Sequence, residues 1–359
     1  MNLSELSYEL PTELIAKTPK RPSRILFSEN GVSEEIGKEN LFAKFSEGDV
    51  LVINNTAVLK RRIFYRDLEI LFLGISVRHQ SPMIWEVLFP AKNFAVNSWI
   101  DLPDGLQMRL LEKGRPQIVE LSRAVDEVYF DQHAQLPLPP YIQELRESRQ
   151  NLAEDNIWYQ TAWAKLQGSL AAPTASLHFT QNDLSVLREK GVSVLEITLH
   201  VGLGTFLPIK VDNLDQHEMH SEEVCIPDSV WTEVLNAKSQ ERKIFVLGTT
   251  VMRTLESFYL FQKGLIPEKN GFSFEKSTTL EGSEVYYGKT SLFIRPGFEF
   301  HVADYLLTNF HQPQSSLLAL VYAFYGKSSV QSAYHYAINH RFRFLSYGDL
   351  SVWCKQAKE

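Results

Sequence analysis

Beyond the loop "LPLPPYI", whose prolines at 137, 139 and 140 stop regular structure, the chain alternates helix and strand. Thr180 and Asp183 form a capping-box pattern ahead of "LSVLREKG", Gly191 closes that helix, and "VLEITLH" follows as a buried strand. The order then repeats, with a helix in "DSVWTEVLNAKS", a strand in "KIFVLG", and Thr249-Thr250 opening the helix "VMRTLESFYLFQKG" that ends at Gly264. Such alternation needs crossover connections and argues for a mainly parallel α/β sheet. Upstream, from "GDVLVINNTAVL" through "IDLPDGLQMRLLEKGRPQIVEL", short β-rich segments carry turn signals, including the hairpin cue Asp104-Gly105. That stretch reads as a small β-barrel or sandwich.

A chain of 359 residues, 44% hydrophobic, has room for two domains of roughly 150 residues each. No run of 18 apolar residues is present to span a bilayer, and "MNLSELSYELPTELIAK" is acidic and polar where a secretory signal is basic and then apolar. A cytoplasmic protein is expected. Cys225 and Cys354 lie far apart and neither has a C-x-x-C neighbour, so the expectation is neither a disulfide framework nor a zinc-thiolate site. The formal net charge of −7 offers no general attraction for a nucleic-acid backbone. Two runs oppose it locally: Lys17, Lys20, Arg21 and Arg24 in "KTPKRPSR", and Lys60, Arg61, Arg62 and Arg66 in "LKRRIFYR". Each reads as a solvated face or as a local phosphate contact.

Several segments carry the chemistry. After the strand ending on His200 come Gly202 and Gly204, which suit close approach of a ligand to the backbone and any positive φ the turn needs. The pair is not a dinucleotide fingerprint, because Leu207 and Pro208 stand where the third glycine would be. Gly248-Thr249-Thr250 brings hydroxyls and free amides to a helix N-terminus, suited to a carboxylate or phosphate, or else serves only as an N-cap. In "DQHEMHSEE" the histidines are three apart, off the zinc-protease spacing, so His220 with Glu222 reads as an acid/base pair, and His217 and Glu218 as surface polarity. A run of small residues with Thr174 precedes His178, and Asn309 and His311 precede a helix start at Ser315.

The blocks "YQTAWAKLQGSLAAPTASLHF", "ITLHVGLGTFLPI", "HEMHSEE", "GTTVMRTLES", "TSLFIRPGFEFHVADYLLTNFHQPQSSLLALVYAFYG" and "FRFLSYGD" resemble, in order and spacing, those of the S-adenosylmethionine:tRNA ribosyltransferase-isomerase family of queuosine biosynthesis. The resemblance runs the length of the chain. It implies a mainly parallel, Rossmann-like α/β domain over 1–59 and 150–359 with a small β-barrel inserted at 60–149. It also implies transfer and isomerisation of the ribosyl group of S-adenosylmethionine onto 7-aminomethyl-7-deazaguanine at the wobble position of tRNA with a GUN anticodon. Epoxyqueuosine-tRNA, adenine and methionine are the products; no metal and no further cofactor are implied, and the protein is expected to be a monomer. The sulfonium acidifies the 5′ carbon, whose proton a base must reach within about 3 Å; His178, His200, His220 and His311 are the candidates. Glu222 or a protonated histidine is the candidate acid for departing adenine. The methionine carboxylate suits Thr249, Thr250 and Arg253, the last reading equally as a structural or tRNA contact; Tyr159 and Gln160 suit a flipped-out base; Lys60, Arg61, Arg62, Arg341 and Arg343 suit tRNA phosphates. This chain departs from the family pattern at Ala57, Ser176 and Gln314. Those losses motivate the alternative of a non-catalytic tRNA-binding paralogue, with a metal-dependent hydrolase behind it.

Overall fold

The computed structural model describes residues 1–79, 81–202, 204, 209, 211–265, 267 and 271–356. It divides into two compact units, Met1–Ala57 with Trp158–Glu359, and Val58–Ile157.

The first unit is built on a ten-stranded sheet in the order Phe272–Thr278, Glu284–Thr290, Glu222–Pro227, Ser193–His200, Val50–Asn54, Ile244–Leu247, Tyr305–Asn309, Leu350–Cys354, Ile25–Glu29, Val32–Ile36. The four strands from Ser193–His200 to Tyr305–Asn309 are mutually parallel. Every residue of Val50–Asn54, Ile244–Leu247 and Tyr305–Asn309 is buried, as central strands covered on both faces must be. Outside them only Ile25–Glu29 with Leu350–Cys354 is parallel, and the remaining ladders are antiparallel. The sheet is therefore mixed, with a parallel centre, where a mainly parallel one was expected.

Local signals explain the helices. Thr180 caps Gln181–Glu189 through a reciprocal capping box with Asp183. The stretch "DSVWTEVLNAKS" is the helix Asp228–Ser239. Val50–Asn54 lies between Ser193–His200 and Ile244–Leu247, so successive crossovers leave it in opposite directions. The carboxyl ends of these strands thus form a topological switch point, the usual place for a ligand in an open α/β sheet. His200, Asn54, Gly248 and Asn309 all stand there.

The second unit is a seven-stranded antiparallel sheet in the order Ala134–Gln135, Arg62–Tyr65, Leu68–Ile75, Ile84–Leu88, Gln117–Leu121, Gln107–Glu112, Trp99–Asp101. The hairpin expected at Asp104-Gly105 is present, with Trp99 opposite Arg109 and Asp101 opposite Gln107. One face alternates inward around Ile63, Phe72, Trp85, Val87, Met108, Val119 and Phe130. Among the described residues no ladder joins the two edge strands, so where a small β-barrel or sandwich was expected the unit has one open antiparallel sheet.

Candidate active site

The parallel strand ends and the turns that follow them gather the polar groups of the site. Thr174–His178 is a short 3-10 turn that buries His178. Its orientation follows from its partners. Asn309 donates from Nδ2 to the Leu345 carbonyl (3.1 Å) and accepts at Oδ1 from the Thr174 hydroxyl (2.9 Å), which fixes the amide. Nδ2 also lies 2.9 Å from His178 Nε2, so that nitrogen accepts, and Nδ1–H donates to Ser23 Oγ at 2.7 Å. His178 is thereby a neutral ring with both nitrogens engaged. Burial, followed by the fields of Arg21, Arg343 and Lys38, pushes its pKa down to about 3.

His311 is as deeply placed. Its ring contacts Thr308 Oγ1 through Nε2 (3.1 Å), its amide donates to the Tyr334 hydroxyl (3.0 Å), and burial alone brings its pKa to about 3. His200 differs. It is half-buried, Nδ1 lies 2.8 Å from Thr56 Oγ1, and burial lowers its pKa against the opposing pull of Glu223. A Cβ at Gly168 would come within 2.6 Å of the His200 ring, so glycine there lets the imidazole lie against the backbone. A groove of about 420 Å³, lined in part by Thr198, Tyr287 and Lys289, opens on this ring.

The loop after His200 behaves otherwise than the sequence suggests. Neither Gly202 nor Gly204 has a positive φ. A Cβ at Gly204 would meet the His220 ring at 2.4 Å, so the close approach at this glycine is made by an exposed histidine of the same chain; a Cβ at Gly202 would meet nothing. The Gly202 amide donates to Glu222 Oε1 (3.1 Å), and Glu222 Oε2 accepts from Arg253 Nη1 at 2.6 Å. Both are buried, and Arg253 Nε also donates to the Leu292 carbonyl. With one oxygen on the Gly202 amide and the other on Arg253, Glu222 anchors the guanidinium beside the loop. Leu207 and Pro208 lie outside the described residues.

The N-cap of the helix Thr249–Gln262 is Gly248, with Thr249 and Thr250 already inside the first turn. Their hydroxyls are therefore not used up in capping. Tyr159 is fully buried and packs edge-on against Tyr347 with centroids 6.0 Å apart, so its face is not open to a nucleobase in this arrangement; Gln160 beside it is half-buried.

The chain as a whole has counterparts among known proteins. The profile of a family described as queuosine biosynthesis protein matches residues 3–352. The chain belongs to that family. Over 97% of its length it is 36% identical to the S-adenosylmethionine:tRNA ribosyltransferase-isomerase of Halothermothrix orenii, 98% of which it covers. Its fold is similar to the crystal structure of S-adenosylmethionine tRNA ribosyltransferase from Thermotoga maritima, with a TM-score of 0.52 and 28% identity over 98% of this chain and 100% of that one.

The departures from the queuosine family pattern have local consequences. Gln314 takes a positive φ of 56°, donates its amide to the Leu6 carbonyl and its side chain to Ser7 Oγ, and so ties down the N-terminal segment. Ser176 places a buried hydroxyl with no hydrogen-bond partner among the described residues, and Ala57 is buried.

The basic residues separate into two groups. Arg61 is buried, forks onto Glu127, and stacks on Phe130 at 4.2 Å. Arg62 is buried too, donating to the Leu138 carbonyl and pairing with Glu69; Lys60 reaches Asp131. Arg61 and Arg62 are thus internal wiring of the second unit, while the half-buried Lys60 and the exposed Arg66 are the members of this run that face solvent. Arg61→Ala is accordingly expected to lower the thermal midpoint by several degrees, with little change in the salt dependence of tRNA binding. Filter binding across a salt series, beside a melting curve, checks this. Arg343 holds the Thr18 and Lys20 carbonyls and Asp349, which anchors the other basic stretch, while Arg341 is exposed. Ser23, Thr56, Asn54 and Gly168 escape the sequence reading. Only their contacts, 32 to 155 residues away, mark them.

Proposed function

We propose that this protein transfers and isomerises the ribosyl group of S-adenosylmethionine onto 7-aminomethyl-7-deazaguanine at the wobble position of tRNA, giving epoxyqueuosine-tRNA, adenine and methionine. The observation that carries this reading is the end-to-end relationship to the Halothermothrix enzyme, 97% of one chain against 98% of the other, which leaves almost none of that enzyme without a counterpart. tRNAs with a GUN anticodon are the acceptors, S-adenosylmethionine is a substrate with no metal or further cofactor beside it, and the protein works as a cytoplasmic monomer. Among the described residues no helix is long and apolar enough to cross a membrane.

In this reading His200 takes the proton from the 5′ carbon. Its Nε2 is the ring nitrogen not engaged by Thr56, its lowered pKa keeps it in the basic form at neutral pH, and the adjoining groove gives substrate a path to it. His178 and His311 hold their strand ends as neutral hydrogen-bonding rings, with Thr174 and Asn309 orienting the first. The exposed His220 beside Gly204, or a water there, supplies the proton for adenine. Gln160 addresses the wobble base, and the Arg343-anchored segment with Lys20, Arg21 and Arg341 takes phosphates.

Incubation with S-adenosylmethionine labelled in the ribose and tRNA carrying the deazaguanine is expected to move label into tRNA with one adenine and one methionine released per event, and EDTA should not abolish it. Transfer of a labelled methyl group instead, or no incorporation, overturns the reading.

A further inference from the structure

The first two turns of Thr249–Gln262 hold two buried donors without a partner among the described residues. Arg253, 3% exposed, spends Nη1 on Glu222 and Nε on the Leu292 carbonyl, leaving Nη2 without a hydrogen-bond partner among the described residues. Thr250 Oγ1 is likewise buried and unpartnered. Three residues apart on a helix, the two side chains project from one face. Thr250 Oγ1 lies beside the N-cap, 3.5 Å from where a Cβ at Gly248 would stand, and Glu222 ties the guanidinium to the Gly202 amide at the end of the neighbouring strand. Buried donors left unsatisfied are costly, so a pair of them converging on a helix N-terminus marks a place built for an acceptor.

The charge balance says which acceptor. Glu222 already neutralises Arg253, so a dianionic phosphate would leave the site with two uncompensated charges. A monoanionic carboxylate leaves one, which the positive end of the helix and the ligand's own cationic groups offset. Resting on the reading of this protein as an S-adenosylmethionine-dependent transferase, we propose that Arg253 Nη2 and Thr250 Oγ1 receive the α-carboxylate of S-adenosylmethionine, with Glu222 as the positioning residue that presents the guanidinium.

The test compares S-adenosylmethionine with its decarboxylated analogue, by equilibrium binding and by turnover with tRNA. The wild-type protein is expected to prefer the carboxylated ligand at least about tenfold. Thr250→Val removes a hydroxyl that bonds to nothing among the described residues, so folding should be unaffected, while the preference falls about tenfold through weaker binding of S-adenosylmethionine alone. Glu222→Asp keeps the charge but draws the guanidinium back, and should lower the same ratio without changing affinity for the analogue; a purely structural role would weaken both ligands together. A wild-type protein that binds the two equally, or a Thr250→Val protein with an unchanged ratio, overturns the proposal. Failure of S-adenosylmethionine to bind at all overturns it together with the functional reading, whereas discriminating binding without turnover sinks the functional reading and leaves this subsite standing.

Discussion

Replacing His200 by asparagine is expected to lower kcat by about 10²- to 10⁴-fold with little change in KM for S-adenosylmethionine, the range over which loss of a general base usually falls. Asparagine is smaller but keeps a polar group near Thr56, and what disappears is the ring nitrogen that accepts a proton. The lowered pKa of His200 adds a second readout. A base works only when unprotonated, so the acid limb of the kcat profile should lie below the ordinary histidine pKa of about 6.5, and the asparagine enzyme should lose that limb. Gly168→Ala should act in the same direction, because its methyl would come within 2.6 Å of the ring and displace it. Steady-state kinetics across pH decides the matter. A His200→Asn enzyme with near-normal kcat returns the ring to a positioning role and moves the search to His220.

How far this site could be read in advance depended on whether each signal was local. Helix ends were legible because a cap acts within four residues, as Thr180 with Asp183 and Ser315 with Leu318 illustrate. The parallel centre followed from the alternation of helix and strand. The antiparallel wing formed by Glu222–Pro227, Glu284–Thr290 and Phe272–Thr278 did not, since strand direction is set by which partner a strand meets, and these partners are joined by loops and a helical detour. The basic run at Lys60–Arg62 misleads for the same reason. A count of charges cannot show that Glu127, 66 residues on, folds back onto Arg61. The candidate site shows the same divide. His178, Asn309, Glu222 and Arg253 stand out by type and setting, yet their pairings span 31 to 131 residues. Those pairings make Glu222 an anchor for Arg253 and His178 a fixed, neutral ring.

The two deeply buried histidines carry the other large expectation, a steep loss of stability on mild acidification. In the folded chain His178 and His311 have pKa values of about 3, against 6.5 for an unperturbed ring, and both lowered values come first from burial. The sign follows from proton binding. Between these limits the unfolded chain binds protons that the folded chain refuses, so stability is fully present above pH 6.5 and falls as pH drops toward 3. Each ring loses about 1.4 kcal/mol per pH unit in that window, or about 2 kcal/mol by pH 5 and about 4 kcal/mol for the pair. Against a typical total of about 5–15 kcal/mol this is a large share. Urea midpoints at pH 7.5, 6 and 5 should therefore fall progressively, and a His178→Gln, His311→Gln protein, though less stable at pH 7.5, should lose most of that slope. A further substitution isolates the mechanism at His178. Asn309→Asp replaces the donor at Nε2 by a carboxylate acceptor, so the ring should gain a proton there and its pKa should rise, visible by NMR as a histidine titrating near neutrality. Midpoints that do not move between pH 7.5 and 5 would mean that the rings are solvated or charge-compensated in the folded protein, and the neutral His178 held between Ser23 and Asn309 would have to be given up.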